Sequence, residues 1–265
     1  EYPLENVLQS VLESQISVDI TRITWSGKTE DRADLIKRVR AVNPDLIYTW
    51  GTPTTKAIAG TYDSVDPAIN IVDVPVVFAT VAWPDQTKII HSFDRPGRNV
   101  TGVTHVVSLP EQMRTLLRWG TLKNSAIGTV YNALEPNSVI STRSLQKWCD
   151  ENKIVLYAEP ITPTWHAETD DANIRSAIER LAKRKVDWLY IGADTLTALT
   201  YVNTVTDVAL QHRLPTFAAV EIPVRKASAL WGLYMPTEYE AIKVADIIVA
   251  ILNGSAIPAD IPVQI

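Results

Sequence analysis

Asp45-Leu-Ile-Tyr-Thr-Trp-Gly-Thr-Pro-Thr-Thr55 decides the fold, because the chain repeats its plan about 140 positions later as Asp187-Trp-Leu-Tyr-Ile-Gly-Ala-Asp-Thr-Leu-Thr197. Each stretch is a short apolar run that ends in small and hydroxyl residues and then enters a helix-like segment. A second pair follows in the same order: Val74-Pro-Val-Val-Phe-Ala-Thr-Val81 and Leu214-Pro-Thr-Phe-Ala-Ala-Val-Glu221. Short runs that are apolar throughout are the mark of parallel strands covered on both faces. Two copies of one strand–helix plan predict two α/β lobes with parallel sheets. Ligands of open parallel sheets bind beyond the carboxyl ends of the strands. A cleft between the two sets of strand ends is therefore the expected small-molecule site.

Outward from these runs, periodicity places helices at 4–13, Thr29 to Val42, 53–61, Pro110 to Trp119, Asn137 to Asn152, Asp171 to Arg184, 195–211 and Thr237 to Leu252. Strands are expected at Val18 to Trp25, Leu46 to Thr49, Val76 to Ala79, Val100 to His105, Ala126 to Tyr131, Val155 to Glu159, Trp188 to Ile191, Thr216 to Ala219 and Leu230 to Met235. Aligning the copies exposes a gap. The strand at 126–131 opens the second copy, and its counterpart in the first copy would fall ahead of Glu1. The first lobe is thus expected to lack its first strand within this sequence, and Ile261-Pro-Val-Gln-Ile265 reads as the start of a further strand.

Composition bounds the function. The chain has 265 residues, 46% of them apolar, and a formal charge of −5. That is enough for two cores of roughly 120–130 residues each. The acidic balance argues against a nucleic-acid partner or an anionic membrane surface. No apolar run approaches the ~20 residues of a membrane-spanning helix. The one cysteine, Cys149, allows no internal disulfide, and its helical setting Leu145-Gln-Lys-Trp-Cys-Asp150 reads as a structural thiol. His91, His105, His166 and His212 are scattered without metal-ligand spacing. There is no nucleophile elbow, P-loop or dinucleotide fingerprint, so neither a cofactor nor a metal is expected, and the chain does not read as an enzyme.

A family resemblance rests on several pieces taken together: Asn43-Pro-Asp-Leu-Ile-Tyr-Thr-Trp-Gly-Thr-Pro53, Val74-Pro-Val-Val-Phe-Ala79, Arg95-Pro-Gly-Arg-Asn-Val-Thr-Gly-Val103, Tyr131-Asn-Ala-Leu-Glu-Pro-Asn-Ser138, Leu214-Pro-Thr-Phe-Ala-Ala219 and Asn253-Gly-Ser-Ala-Ile-Pro-Ala-Asp-Ile-Pro-Val263. In this order they resemble the substrate-binding proteins of ABC importers, in particular the TrpX-like group. The resemblance covers nearly the whole chain. It implies the type I periplasmic binding fold: two Rossmann-like lobes joined by a multi-strand hinge around a closing cleft. The first lobe would comprise 1–102 and 234–256, the second 103–233, and 257–265 would begin a third hinge crossing.

Candidate ligand-binding residues sit at the ends of the predicted strands. In the first lobe they are Trp50, Gly51 and Thr52, then Thr80 and Trp83. Glycine admits a ligand close to the backbone, and threonine with free helix N–H groups can hold a carboxylate, although an ordinary capped turn accounts for the same residues. The two indoles can stack on a ligand or simply pack. In the second lobe the candidates are Asn132, Glu135, Asn137, Ser138, Asp194, Thr195 and Glu221. Asp194 can pair with a ligand ammonium group or cap the helix after it. Trp25, Trp119, Trp148, Trp188 and Trp231 read as packing residues.

The function that follows is an extracytoplasmic solute-binding protein of an ABC importer, periplasmic or lipid-anchored. It would act as a monomer with a small-molecule ligand and the permease subunits as partners. An amino acid leads as ligand, and the kinship favours an aromatic or apolar side chain. The alternative is the ligand-sensing extracytoplasmic domain of a signalling protein.

Overall fold

β2 (Val76–Ala79) shows why the sequence folds as it does. Every residue of it is buried, and its side chains serve two cores in alternation. Val76 and Phe78 join Leu35, Ile36, Val39 and Ile58 on one face of a sheet, whereas Val77 and Ala79 join Leu8, Leu12, Val244 and Ile248 on the other. In a computed structural model that describes residues 3–264, this strand lies in a parallel sheet of order β1-β2-β3, with β1 at Ile47–Trp50 and β3 at Val100–Gly102. Glu1, Tyr2 and Ile265, the outer limits of the expected lobe segments, lie outside the described residues.

The chain divides into two units. The first runs up to His105 and resumes at Pro236; the second is Val106–Met235. In the first unit α2 (Arg32–Val42) and α3 (Thr52–Ala59) cover one face of the sheet, while α1 (Pro3–Gln15) and α9 (Thr237–Leu252) cover the other. A short 3-10 turn, Thr29–Asp31, precedes α2. The segment after α9 makes a 3-10 turn at Pro258–Asp260 and returns beside β3, where Gln264 bridges Val103 in parallel.

The second unit has five parallel strands in the order β5-β4-β6-β7-β8. These are β4 (Ala126–Asn132), β5 (Val155–Ile161), β6 (Trp188–Ile191), β7 (Thr216–Ala218) and β8 (Trp231–Gly232). α4 (Leu109–Trp119) and α5 (Pro136–Glu151) precede and follow β4, and α6 (Ala167–Lys183) and α7 (Val202–Gln211) flank β6. Ile174, Ile178 and Leu181 of α6 and Val205 and Val208 of α7 close one core over Val130, Leu189 and Ile191. Asp187, just ahead of β6, accepts the backbone N–H groups of Lys123, Asn124 and Ala126 and so fixes the start of β4.

Several readings need correction. Val18 to Trp25 alternates like a strand but forms none. In the second unit the matching strand, β5, is paired to β4 alone, and β4 has no counterpart among the described residues of the first unit. An alternating segment without a neighbour packs Ile23 and Trp25 against the core and makes no ladder. Strand 100–105 stops at Gly102 and strand 230–235 shrinks to two residues. Helix 195–211 is split: a π-helical turn at Leu196–Thr200, closed by Tyr201 N–H on Leu196 O at 2.8 Å, precedes α7. A short helix, α8 (Glu221–Arg225), occupies a stretch to which the sequence assigned no element. Trp119 does not pack: it is 72% exposed with the Arg118 guanidinium over its ring. Cys149 is fully buried, and burial with nearby Asp150 pushes its thiol up to about 12, which leaves no thiolate at neutral pH.

Gly102 is required by a close approach. A Cβ there would lie 2.2 Å from the Phe78 carbonyl oxygen and 2.6 Å from its ring. Gly102→Ala should destabilise the protein by about 1–3 kcal/mol through forced displacement of β3 from β2. Urea unfolding measures this, and an unchanged midpoint would contradict the packing of the two strands.

Candidate functional site

In a parallel sheet all strands end on the same edge, and backbone groups there lose their ladder partners. In the second unit β4 ends at Asn132 and β6 at Ile191, adjacent strands in the sheet. Asp194, 6% exposed, stands between their ends. Its Oδ2 accepts the Asn132 N–H at 2.6 Å and the Ser138 hydroxyl, and its Oδ1 accepts the Thr197 N–H at 2.7 Å. Ser138 Oγ also accepts the Asn132 N–H at 3.1 Å. One carboxylate thus joins the end of β4, the first turn of α5 and the turn that follows β6.

Glu135 organises the outer half of the cluster. Its Oε1 accepts Asn137 Nδ2 at 2.9 Å and the Thr195 hydroxyl at 2.8 Å. Its Oε2 accepts the Thr195 N–H at 3.0 Å and Asn132 Nδ2 at 3.4 Å. Burial pushes the Glu135 carboxyl above the usual range, and the Asp194 carboxylate adds to this; the Asn137 and Thr195 hydrogen bonds oppose it. Asn137 Nδ2 also reaches Ala193 O at 3.0 Å, while Asn137 Oδ1 and Thr197 Oγ1 are buried with no hydrogen-bond partner among the described residues. Neither carboxylate has a Lys or Arg within ion-pair distance among the described residues. A narrow crevice lined by Val130, Tyr131, Ser138, Ser141, Tyr190 and Asp194 adjoins the cluster.

Six of the seven second-unit candidates are therefore in one hydrogen-bonded network: Asn132, Glu135, Asn137, Ser138, Asp194 and Thr195. Glu221 stands apart. It opens α8 beyond the end of β7, with Arg225 3.2 Å from its carboxylate.

In the first unit the candidates lie at the ends of β1 and β2. Trp50 is the last residue of β1 and half-buried. Gly51, at φ +79°, donates its N–H to Ala79 O at 2.9 Å and opens α3, whose first residue is the buried Thr52. Thr55 fastens the turn: its hydroxyl donates to Gly51 O at 2.8 Å and its Oγ1 accepts the Thr49 hydroxyl at 2.9 Å. Thr80 and Trp83 follow β2, both with left-handed backbone, φ +56° and +53°. Trp83 Nε1 is buried with no hydrogen-bond partner among the described residues. Nothing in the sequence points to Glu240, whose carboxylate on α9 accepts the Thr80 N–H at 2.5 Å from 160 positions away. Only the three-dimensional packing of α9 on β2 brings the two together.

A wider hollow of about 390 Å³ runs along α1, lined by Asn6, Val7, Ser10, Val11 and Ser14. One helix supplies its whole lining and no polar groups converge there, so it is not counted as a site. Among the described residues no group of His, Cys, Asp and Glu is placed to hold a metal ion, and no helix is long and apolar enough to cross a membrane.

The model of the ABC transporter substrate binding protein family matches residues 12–265, and the chain belongs to that family. It is a family of substrate-binding proteins, not of enzymes. A tyrosine-binding protein of Clostridioides difficile is 28% identical over 222 residues, covering 83% of this chain; the chain spans 57% of that protein's length. Among solved structures, the ABC domain in complex with L-Trp from Streptococcus pneumonia superposes with a TM-score of 0.77 at 22% identity, over 100% of this chain and 85% of that one. The ligand-free, open structure of a substrate-binding protein with adhesive properties from Clostridium difficile gives 0.70 at 23%, with the same coverage. These likenesses fix the fold as the type I periplasmic binding fold.

Asp194→Ala strips the acceptor from the buried Thr197 N–H, at about 1–3 kcal/mol for a donor left unpaired, and leaves the Asn132 N–H only its longer bond to Ser138 Oγ. A loss of about 2–4 kcal/mol in the second unit is expected by chemical denaturation. Glu135 makes stability depend on pH. Its folded-state pKa is raised, so its contribution to stability is full below the unfolded value near 4.5 and is lost as pH rises through the folded value. In Glu135→Gln that fall should vanish from the ligand-free melting profile; a profile identical to wild type would contradict the assignment.

Proposed function

We propose that this member of the substrate-binding family binds an amino acid for an ABC importer. One observation carries the reading: two linked carboxylates, Asp194 and Glu135, stand at the carboxyl edge of the second unit's sheet without a cationic side chain among the described residues. A site with uncompensated negative charge and neutral donors around it is suited to an ammonium group. Glu135, half-buried where Asp194 is buried, is assigned the direct contact and Asp194 the longer-range charge. In the first unit the Thr52 hydroxyl and the free N–H groups of α3 suit a carboxylate, and Trp50 and Trp83 supply apolar surface for a side chain. The tyrosine-binding relative and the neighbour solved with L-Trp support an aromatic amino acid. Permease subunits as partners, an extracytoplasmic location with or without a lipid anchor, and action as a monomer belong to the same proposal.

A thermal-shift screen across amino acids, purines and sugars tests it. A ligand present at 100 times its Kd should add about 2.7 kcal/mol of stability, and L-tyrosine or L-tryptophan should be among those that do. An ammonium ligand prefers ionised Glu135, so affinity should rise as pH rises through the elevated Glu135 value, the reverse of the ligand-free stability profile. Glu135→Gln should weaken binding by about 30-fold or more, the scale of a desolvated pair losing one charge. Stabilisation by sugars or purines alone would overturn the amino-acid reading.

A further inference from the structure

Thr80 is a β-branched residue at φ +56°, a backbone region such residues avoid. Strain of this kind persists where the surroundings over-determine it, and it gathers at ligand sites. Here the surroundings are Glu240. This carboxylate is 3% exposed, in the first turn of α9, and it accepts both the Thr80 N–H, at 2.5 Å, and the Thr80 hydroxyl, at 3.3 Å. One carboxylate accepting both the amide and the hydroxyl holds the residue at two points. Thr80 begins the loop that carries Trp83, which is also left-handed and is pinned by Thr87, whose N–H and hydroxyl each reach Trp83 O at 2.9 Å. On the other side, Ala79 O takes the Gly51 N–H. The hold on Thr80 therefore bears on both pieces of the first unit's candidate site, Gly51–Thr52 and Thr80–Trp83.

We infer that Glu240 is a positioning residue for ligand binding: from α9 it fixes the strained Thr80 and, through it, the geometry of the first unit's strand ends. Its role in affinity rests on the amino-acid reading above, while its hold on Thr80 does not.

Glycine at position 80 adopts φ +56° without strain, which gives a cycle of variants. L-tyrosine and L-tryptophan are titrated calorimetrically into wild type, Glu240→Ala, Glu240→Gln, Thr80→Gly and the Thr80→Gly/Glu240→Ala double variant. Glu240→Ala should lower affinity about 10-fold, with far-UV circular dichroism unchanged. Glu240→Gln keeps an acceptor and should recover most of that loss. In the Thr80→Gly background the effect of Glu240→Ala should shrink to about 2-fold. Equal effects in both backgrounds, or a lower melting temperature with affinity untouched, would make Glu240 a core residue only and overturn the inference. Hydrogen exchange at the Thr80 amide needs no ligand. It should quicken about 10-fold or more in Glu240→Met, which keeps the volume but removes the carboxylate acceptor and so also covers the case where Glu240→Ala does not fold. Unchanged exchange overturns the inference. If wild type binds neither amino acid while the Thr80 amide does depend on Glu240, the functional reading fails and the hold on Thr80 stands.

Discussion

The second unit's candidate site is organised by one buried carboxylate. Asp194 takes the Asn132 N–H, the Ser138 hydroxyl and the Thr197 N–H, and the two backbone donors are ones that the end of a strand or the start of a helix would leave exposed. Parallel strands cannot satisfy their own ends, and water cannot reach groups this deeply placed. With Asp194 in position, the loop between β4 and α5 is held against the loop after β6, and Glu135, Asn137 and Thr195 fall within reach of one another. The cost is electrostatic. A second carboxylate nearby pushes Glu135 toward its neutral form. That unresolved charge is what the proposed ligand relieves.

The first unit solves the same problem differently. At the end of β1 the acceptor is backbone, Ala79 O, and the turn depends on Gly51 in a conformation with positive φ. At the end of β2 the acceptor is a side chain from the far end of the chain, Glu240. The two copies share a plan of strands and helices, yet their edges are fastened by unrelated residues. The internal repeat thus constrains where a site can form and leaves its chemistry free.

What the sequence disclosed follows the same division. β2 and β6 were legible because burial on both faces leaves an unbroken apolar run, Val76–Ala79 and Trp188–Ile191. The candidate residues of the second unit were legible because strand ends followed by polar residues and a helix start mark a carboxyl edge. Val18 to Trp25 misled because alternation reports a half-buried surface, and a ladder needs a partner besides. α8 hid because five residues, Glu-Ile-Pro-Val-Arg, are too few to show a period. Trp119 was read as packing because residue type says nothing of direction. Glu240 was invisible as a site residue, since on α9 it has the look of any acid in the first turn of a helix.

The π-helical turn at Leu196–Thr200 has a consequence for how this chain can tolerate change in length. A π turn holds one more residue than an α turn spanning the same stretch. Asp194 on one side must meet Asn132, and Val205 and Val208 on the other must meet the core. The extra residue lets both demands hold at once. Removing it would wind α7 by about 100° relative to the strand end, turning its apolar stripe away from the sheet. An insertion at the same place would do the reverse. Sequences that keep this network should therefore keep the spacing from Asp194 to Val205 even where the residues between them differ, and a one-residue gap there would mark a different arrangement of the edge.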